Sequence, residues 1–266
     1  SQFVQINDKH SDSKNIQFGV PQGSILGPIL LNLYVNDLQN NHECSCFQYA
    51  DDTTLYDHCS PKDLIACSNR MEAAMSQLES WASKSYLLIN GDKTKQMLLT
   101  TSQMSKAHNI GEFAPTLFVG GQAIEKVKTF KFLGTWINEN LKWSDHIKHV
   151  LSSCFGVSST LRKIRNLAQP HVKKQLAECL VLSKLQFNDV VCFPLPIYLQ
   201  KKIQKVQNSA ASFVVNRYAT EEDVFKLGWL PTKERTELNL LRATHHAMYN
   251  PSWPEYLKVE KREPKR

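Results

Sequence analysis

The segment Phe47-Gln48-Tyr49-Ala50-Asp51-Asp52-Thr53-Thr54-Leu55-Tyr56 sets two adjacent acids between aromatic, strand-prone flanks. Aromatic and β-branched residues favour a pleated, half-buried surface and Asp favours turns, so the segment reads as a hairpin with the acids at its tip. Both acids should stay ionised at neutral pH, and two carboxylates held together repel each other unless a cation compensates. Mg²⁺ is the natural compensation, because it binds through one or two carboxylates together with substrate phosphates. Phosphoryl transfer on nucleotides is therefore the first chemistry to weigh. A solvated Asp-Asp turn with no ligand is the plain alternative.

A chain of 266 residues with 42% apolar residues has room for one large domain or two modest ones. Its seven cysteines are irregularly spaced with no Cys-x-x-Cys. That pattern indicates neither a zinc module nor a disulfide framework, and it reads as reduced thiols in an intracellular protein, nuclear or cytoplasmic. Ser1 is not followed by a charged region, an apolar run and a cleavage site, so no signal peptide is expected. Residues 15–36 carry no charge and are long enough to span a bilayer. They also contain Pro21, Pro28, three glycines, Gln17, Gln22 and Asn32, so burial beside a polar ligand is expected instead, with no membrane partner. Charge is uneven. Residues 1–125 hold 8 Lys and Arg against 13 Asp and Glu, whereas residues 126–266 hold 24 against 12. An acidic half joined to a basic half suits a metal-dependent enzyme that handles a polyanion; an ordinary basic helical surface is the alternative.

The pattern of elements is α+β up to about residue 140 and all-α beyond it. A Gly/Pro-punctuated loop over 19–28 leads into a helix from Pro28. Ser60-Pro61-Lys62-Asp63 reads as a helix start. The helix that follows shows Leu64, Cys67, Met71, Met75, Leu78 and Trp81 on one face, as core residues do. Strands are expected over 94–101, 116–119, 123–127 and 129–138, with a turn at Gly120-Gly121 and a polar loop over 102–115. Helices are expected over 144–166, 171–188, 196–216 and 234–249. His146 reads as a surface or capping residue, since no second His stands at metal-ligand spacing.

Three further segments could carry chemistry. Gly19-Val20-Pro21-Gln22-Gly23-Ser24 precedes a helix, where glycines allow close backbone approach and a helix start offers free N–H groups to an anion. Asn90-Gly91-Asp92-Lys93-Thr94 holds a lysine able to reach phosphates or to give a proton to a leaving group. Phe130-Lys131-Phe132-Leu133-Gly134-Thr135 is a strand ending in a glycine. Read singly, each has a plain structural explanation.

Taken in order, these segments resemble the reverse transcriptases of non-LTR (LINE-type) retrotransposons, especially jockey-like elements. Gly19 to Pro28, continued by Asn32-Leu33-Tyr34-Val35-Asn36-Asp37-Leu38, is similar to palm motif B. Tyr49-Ala50-Asp51-Asp52 is similar to the Tyr-x-Asp-Asp box of motif C, Asn90–Thr94 to motif D, and Phe132-Leu133-Gly134 to the primer grip. Leu141-x-Trp143-x-x-His146-Ile147 resembles the family's passage into the thumb, and the resemblance is close over 19–150.

The resemblance implies a partial right-hand polymerase palm over 1–140 and a helical thumb and C-terminal region over 141–266. It implies an RNA-directed DNA polymerase working by two-metal displacement, with Mg²⁺ or else Mn²⁺ as cofactor. Asp51 and Asp52 would be catalytic metal ligands. Tyr49, Ala50, Gln22 and Gly23 would line the substrate, Lys93 would assist pyrophosphate departure, and Phe132, Leu133 and Gly134 would hold the primer. The partners would be an RNA template, a DNA primer and dNTPs; the oligomeric state is left open. Only 18 residues precede Gly19, and Asp8 and Asp12 lie in a polar run unlike the apolar strand of motif A. The sequence thus leads one to expect a palm–thumb fragment with negligible activity by itself. Two other readings are a non-catalytic nucleic-acid-binding remnant and an isoprenoid synthase. The latter is disfavoured because Leu55 stands where an Asp-Asp-x-x-Asp box needs its third acid.

Overall fold

The computed structural model describes residues 1, 3–15, 19, 23–38, 44–110 and 115–259. The chain divides into two compact units. The first comprises Ser1–Leu98 and Ser102–Val127, and the second comprises Leu99–Thr101 and Lys128–Arg266.

The first unit is α+β. Strands β1 (Gln5–Ile6) and β2 (Lys9–His10) form a short hairpin near the N-terminus. Helix α1 (Gly27–Tyr34) starts with Pro28 in its first turn, where a missing N–H costs nothing, and Ser24 Oγ accepts from the Gly27 N–H at 2.9 Å. Strands β3 (Ser45–Tyr49) and β4 (Asp52–Tyr56) pair antiparallel. A 3₁₀ turn at Pro61–Asp63 then leads into α2 (Leu64–Lys84), the long helix of this unit. Met75 and Leu78 of α2 pack with Leu38, Leu117, Val119 and Ile124, and Leu55 of β4 lies against the same cluster. That apolar contact fixes the β3–β4 hairpin to the unit's core. Strand β5 (Lys95–Gln96) follows, then α3 (Ser102–Ala107) and strands β6 (Phe118–Val119), β7 (Gln122–Ala123) and β8 (Glu125–Lys126). β5 pairs parallel with β8, and β6 pairs with β7 across Gly120-Gly121, both at positive φ as a two-residue hairpin turn requires.

The second unit is helical apart from one hairpin, β9 (Thr129–Phe132) and β10 (Thr135–Asn138). Helix α4 (Ser144–Lys163) is followed by α5 (Pro170–Ala177), a π-turn over Glu178–Leu182 and α6 (Ser183–Gln186). Helix α7 (Ile197–Val215) is central. Its Leu199, Ile203, Val206, Ala210 and Val214 recur at helical spacing and bury against Ile147, Leu151, Cys154 and Leu161 of α4 and Ala177 and Val181 of the α5 region. Ala177, Ala210 and Ala211 are almost fully buried, so the helix backbones approach closely. Helices α8 (Glu221–Lys226) and α9 (Thr232–Tyr249) complete the unit. No helix among the described residues is long and apolar enough to cross a membrane.

Several sequence expectations need correction. The expected strand over 129–138 is a hairpin, because Leu133 and Gly134 both take positive φ and fold β9 back on β10. The expected strand over 94–101 contracts to two residues. Within the expected loop over 102–115, Ser102–Ala107 is helical and Ile110 is buried. Helix α8 has no counterpart among the expected helices. It is held by a capping box in which Thr220 and Asp223 each satisfy the other's backbone N–H. His146 is not a surface residue: it is 3% exposed, and its Nδ1 accepts from the Trp136 N–H at 3.3 Å. Burial, with the charge of His149 nearby, pushes its pKa down and keeps the ring neutral, as an accepting Nδ1 needs.

Candidate active site

The β3–β4 hairpin carries the acid pair as the sequence suggests. Tyr49 pairs with Asp52, which leaves Ala50 and Asp51 as a two-residue turn. Ala50 has φ +53°, a left-handed conformation that costs a side-chain-bearing residue about 1–2 kcal/mol. The strand pairing on either side holds it there. Asp51 is at the apex and Asp52 begins β4; both are exposed. Neither makes an ion pair or a side-chain hydrogen bond among the described residues. The pair is thus open to solvent and has no cationic partner among the described residues.

Strand alternation sorts the rest of the hairpin. Phe47, Tyr49, Asp52 and Tyr56 share one face, and the other face turns Leu55 toward the core. On the exposed face the Phe47 and Tyr56 rings stack 5.3 Å apart and nearly parallel, while Tyr49 is 67% exposed. An open hollow of about 320 Å³ adjoins the turn. Asn32, Val35, Asn36, Gln48 and Ala50 line it. That is the small end of the range for ligand clefts, about 300–1,000 Å³, and its three side-chain amides can each donate and accept.

The other sequence-derived residues belong to other elements of the chain. Gly23 is in the loop before α1 at φ +82° with open space about it; Gln22 falls outside the described residues. Lys93 is exposed in the turn between α2 and β5, where its N–H donates to Asn90 Oδ1 at 3.1 Å. The turn is fixed by Thr94 on the Asn90 carbonyl and by Gln122 Nε2 on Asp92 Oδ1 at 3.2 Å. Lys93 makes no ion pair with either hairpin acid among the described residues. Phe132, Leu133 and Gly134 belong to the second unit, at the tip of the β9–β10 hairpin. There a Cβ on Gly134 would come within 3.0 Å of the Phe187 ring, and Asn188 Nδ2 donates to Thr135 Oγ1 at 2.6 Å. The tip of this hairpin is packed at Gly134 and Thr135 and more open at Leu133, which is 39% exposed.

The donor set suits a hard cation. Asp51 and Asp52 offer carboxylate oxygens on one exposed turn, which is the share of a Mg²⁺ shell that protein commonly supplies. No cluster of three or more His, Cys, Asp or Glu able to hold a metal occurs among the described residues.

Comparison with known proteins agrees with the family resemblance. The profile of the family described as reverse transcriptase (RNA-dependent DNA polymerase) matches residues 1–137. The chain belongs to that family. It is 25% identical over 155 residues to the "RNA-directed DNA polymerase from mobile element jockey" of Drosophila melanogaster, covering 55% of this chain and 16% of that protein. Its jockey counterpart in Drosophila funebris is 24% identical over 182 residues, covering 64% of this chain and 19% of that protein. The "Retrovirus-related Pol polyprotein from type-1 retrotransposable element R1" of Nasonia vitripennis is 24% identical over 227 residues, covering 80% of this chain and 65% of that protein. The chain thus spans under a fifth of the length of the jockey polymerases it matches. Sequence reasoning assigned no site role to Asn32, Asn36 or Gln48. Asn32 and Asn36 are four residues apart, which puts them on one side of a helical path and could have flagged them. No sequence signal pairs them with Gln48.

Proposed function

We propose that the first unit carries the nucleotidyl-transfer centre of a retrotransposon reverse transcriptase, on a palm whose catalytic tip is the β3–β4 hairpin. The observation that carries this reading is the exposed Asp51–Asp52 pair beside a hollow lined by amides. Asp51 and Asp52 would hold Mg²⁺ or Mn²⁺, which when bound supplies charge neutralisation for phosphoryl transfer. Asn32, Asn36 and Gln48 would orient an incoming dNTP by hydrogen bonds to its sugar or base. Ala50 would shape the wall of that hollow, Tyr49 would present its exposed ring to substrate on the hairpin's other face, and Gly23 and Gln22 are assigned to the substrate on the sequence resemblance alone. Lys93 would donate its proton to the departing pyrophosphate. Phe132, Leu133 and Gly134 would grip the primer, and the helices of the second unit would serve as a thumb that follows an RNA–DNA duplex by charge and shape.

The hairpin by itself offers two carboxylates. We therefore expect residues 1–266 expressed alone to extend a primer negligibly, because two neighbouring acids without a third ligand hold a divalent ion weakly. Extension of an oligo(dT) primer on poly(A) with Mg²⁺ or Mn²⁺ tests this. Robust synthesis that Asp51→Ala abolishes would overturn the expected inactivity while supporting the site. Titration with Mn²⁺ tests the site directly: broadening of NMR signals should centre on residues 49–53 and vanish in Asp51→Asn/Asp52→Asn. Broadening centred elsewhere would remove the proposed centre.

A second reading, a non-catalytic nucleic-acid-binding module, is favoured by the net +12 of residues 126–266. Duplex affinity that falls steeply with salt supports it, and affinity indifferent to salt rules out a phosphate-tracking surface.

A further inference from the structure

Arg235, in the first turn of α9, is only 9% exposed. A buried guanidinium has five N–H donors to satisfy. Its Nη2 donates to the Leu185 carbonyl at 3.5 Å. Its Nε lies 3.8 Å from Asp189 Oδ2, an ion-pair distance too long for a hydrogen bond. The Asp189 carboxylate is already shared, accepting from Thr236 Oγ1 and from Asn239 Nδ2, each at 3.1 Å. Nε and Nη1 of Arg235 consequently find no acceptor among the described residues. Unspent donors on a buried cation are costly, and they mark a place where an acceptor belongs.

Arg235 also lines a cavity of about 40 Å³ within the second unit. Its walls include Ile147, Leu185, Phe187, Phe193 and Ile203, and both Lys184 and Lys233 border it. A single water needs about 10–15 Å³ by this measure, so the space suits a group of a few heavy atoms. The lining charges are three cations, Lys184, Lys233 and Arg235, against the one carboxylate of Asp189; His146 is neutral. Lys184 is half-buried and donates to Ser153 Oγ at 2.6 Å, and Lys233 is exposed and pairs with Glu237 at 3.7 Å, so Arg235 is the buried cation of the three, with donors that water does not reach. A phosphate, with four oxygens and more than one charge, would be under-satisfied against these walls. A monoanion on a short hydrocarbon stem matches both the guanidinium and the apolar lining.

We propose that this cavity is a binding site for a short aliphatic carboxylate, which accepts from the Arg235 guanidinium and lays its stem against Phe187 and Phe193. The site lies outside the proposed catalytic hairpin and does not depend on it. Propionate is the probe. Added to the full 266-residue chain, it should shift the methyl NMR signals of Ile147, Ile203 and Leu185 saturably, with a Kd on the order of 1 mM. Propionamide, of the same shape but neutral, should bind about tenfold more weakly, since a charge-assisted bond is lost. Arg235→Met should abolish the effect. Equal affinity for propionate and propionamide, or no saturable shift up to about 100 mM, overturns the proposal and leaves the donors to water alone. The two probes are compared on the unaltered chain, so their ratio of affinities decides the matter even if Arg235→Met does not fold.

Discussion

Replacing Gly134 by Ala should destabilise the second unit by about 1–2 kcal/mol. Gly134 has φ +87°, outside the region that residues with a Cβ adopt readily, and this strain alone is of that size. The added methyl would also stand 3.0 Å from Phe187 Cε1 and 3.1 Å from Cζ. That ring is half exposed and can move aside, so the contact adds less than the backbone does. Gly156 is the internal control. It lies inside α4 with no atom within 4 Å of a Cβ built on it, so Gly156→Ala should stabilise the unit by about 0.5–1 kcal/mol through helix propensity. Urea unfolding followed by tryptophan fluorescence reads this unit, since Trp136, Trp143, Trp229 and Trp253 belong to it and only Trp81 to the other. In thermal unfolding Gly134→Ala should lower Tm by roughly 3–8 °C. If Gly134→Ala stays within about 0.5 kcal/mol of the parent, the scatter of ordinary surface changes, the left-handed turn and its strain are refuted.

Asn216→Ala should cost about 2–3 kcal/mol in urea unfolding. Its Oδ1 accepts from Lys173 Nζ at 2.8 Å and Arg165 Nε at 3.2 Å, and Lys173 is 1% exposed; an unchanged midpoint would show that the buried ammonium needs no partner. Asp223 is held well below the usual carboxylate range by the Arg217 guanidinium at 2.6 and 2.7 Å and by the Thr220 N–H and hydroxyl at 2.8 Å. The unfolded chain protonates first as pH falls, so this contribution is complete above about pH 5 and fades below about pH 4. The Tm gap between the parent and Asp223→Asn should be wide at neutral pH and close in acid; a gap that widens in acid has the wrong sign. Burial, with Cys59 and Asp57 adding to it, pushes the Cys67 thiol up to about 12, and burial beside Asp189 pushes Cys192 up to about 11. Iodoacetamide at about pH 8 should therefore modify exposed Cys59 and Cys179 well before Cys67 and Cys192, as peptide mapping would read. Labelling of Cys67 as fast as Cys59 would contradict the buried geometry.

Much of the local structure was legible because it rests on neighbours in sequence. Alternation around Ala50-Asp51 makes the β3–β4 hairpin, and helical spacing from Leu199 to Val214 makes α7. Both signals are periodicities set by backbone geometry. The order of the acidic, glycine and lysine segments sufficed to suggest the family. Errors came where one residue's φ decides the outcome. Phe130 to Ile137 reads as a continuous strand until Leu133 and Gly134 turn left-handed, and the short α8 depends on one reciprocal cap.

Composition and spacing by themselves determined the two-part character of the chain, its charge asymmetry and the exposed acid pair. Only the tertiary structure set Asn32, Asn36 and Gln48 around one hollow, and Arg235, Asp189 and Leu185 around one cavity. Periodicity specifies which face of an element is apolar; it does not specify which distant polar side chain that face will trap. Side-chain partners 50 residues apart, such as Arg235 with the Leu185 carbonyl, are chosen when the apolar faces close and water leaves.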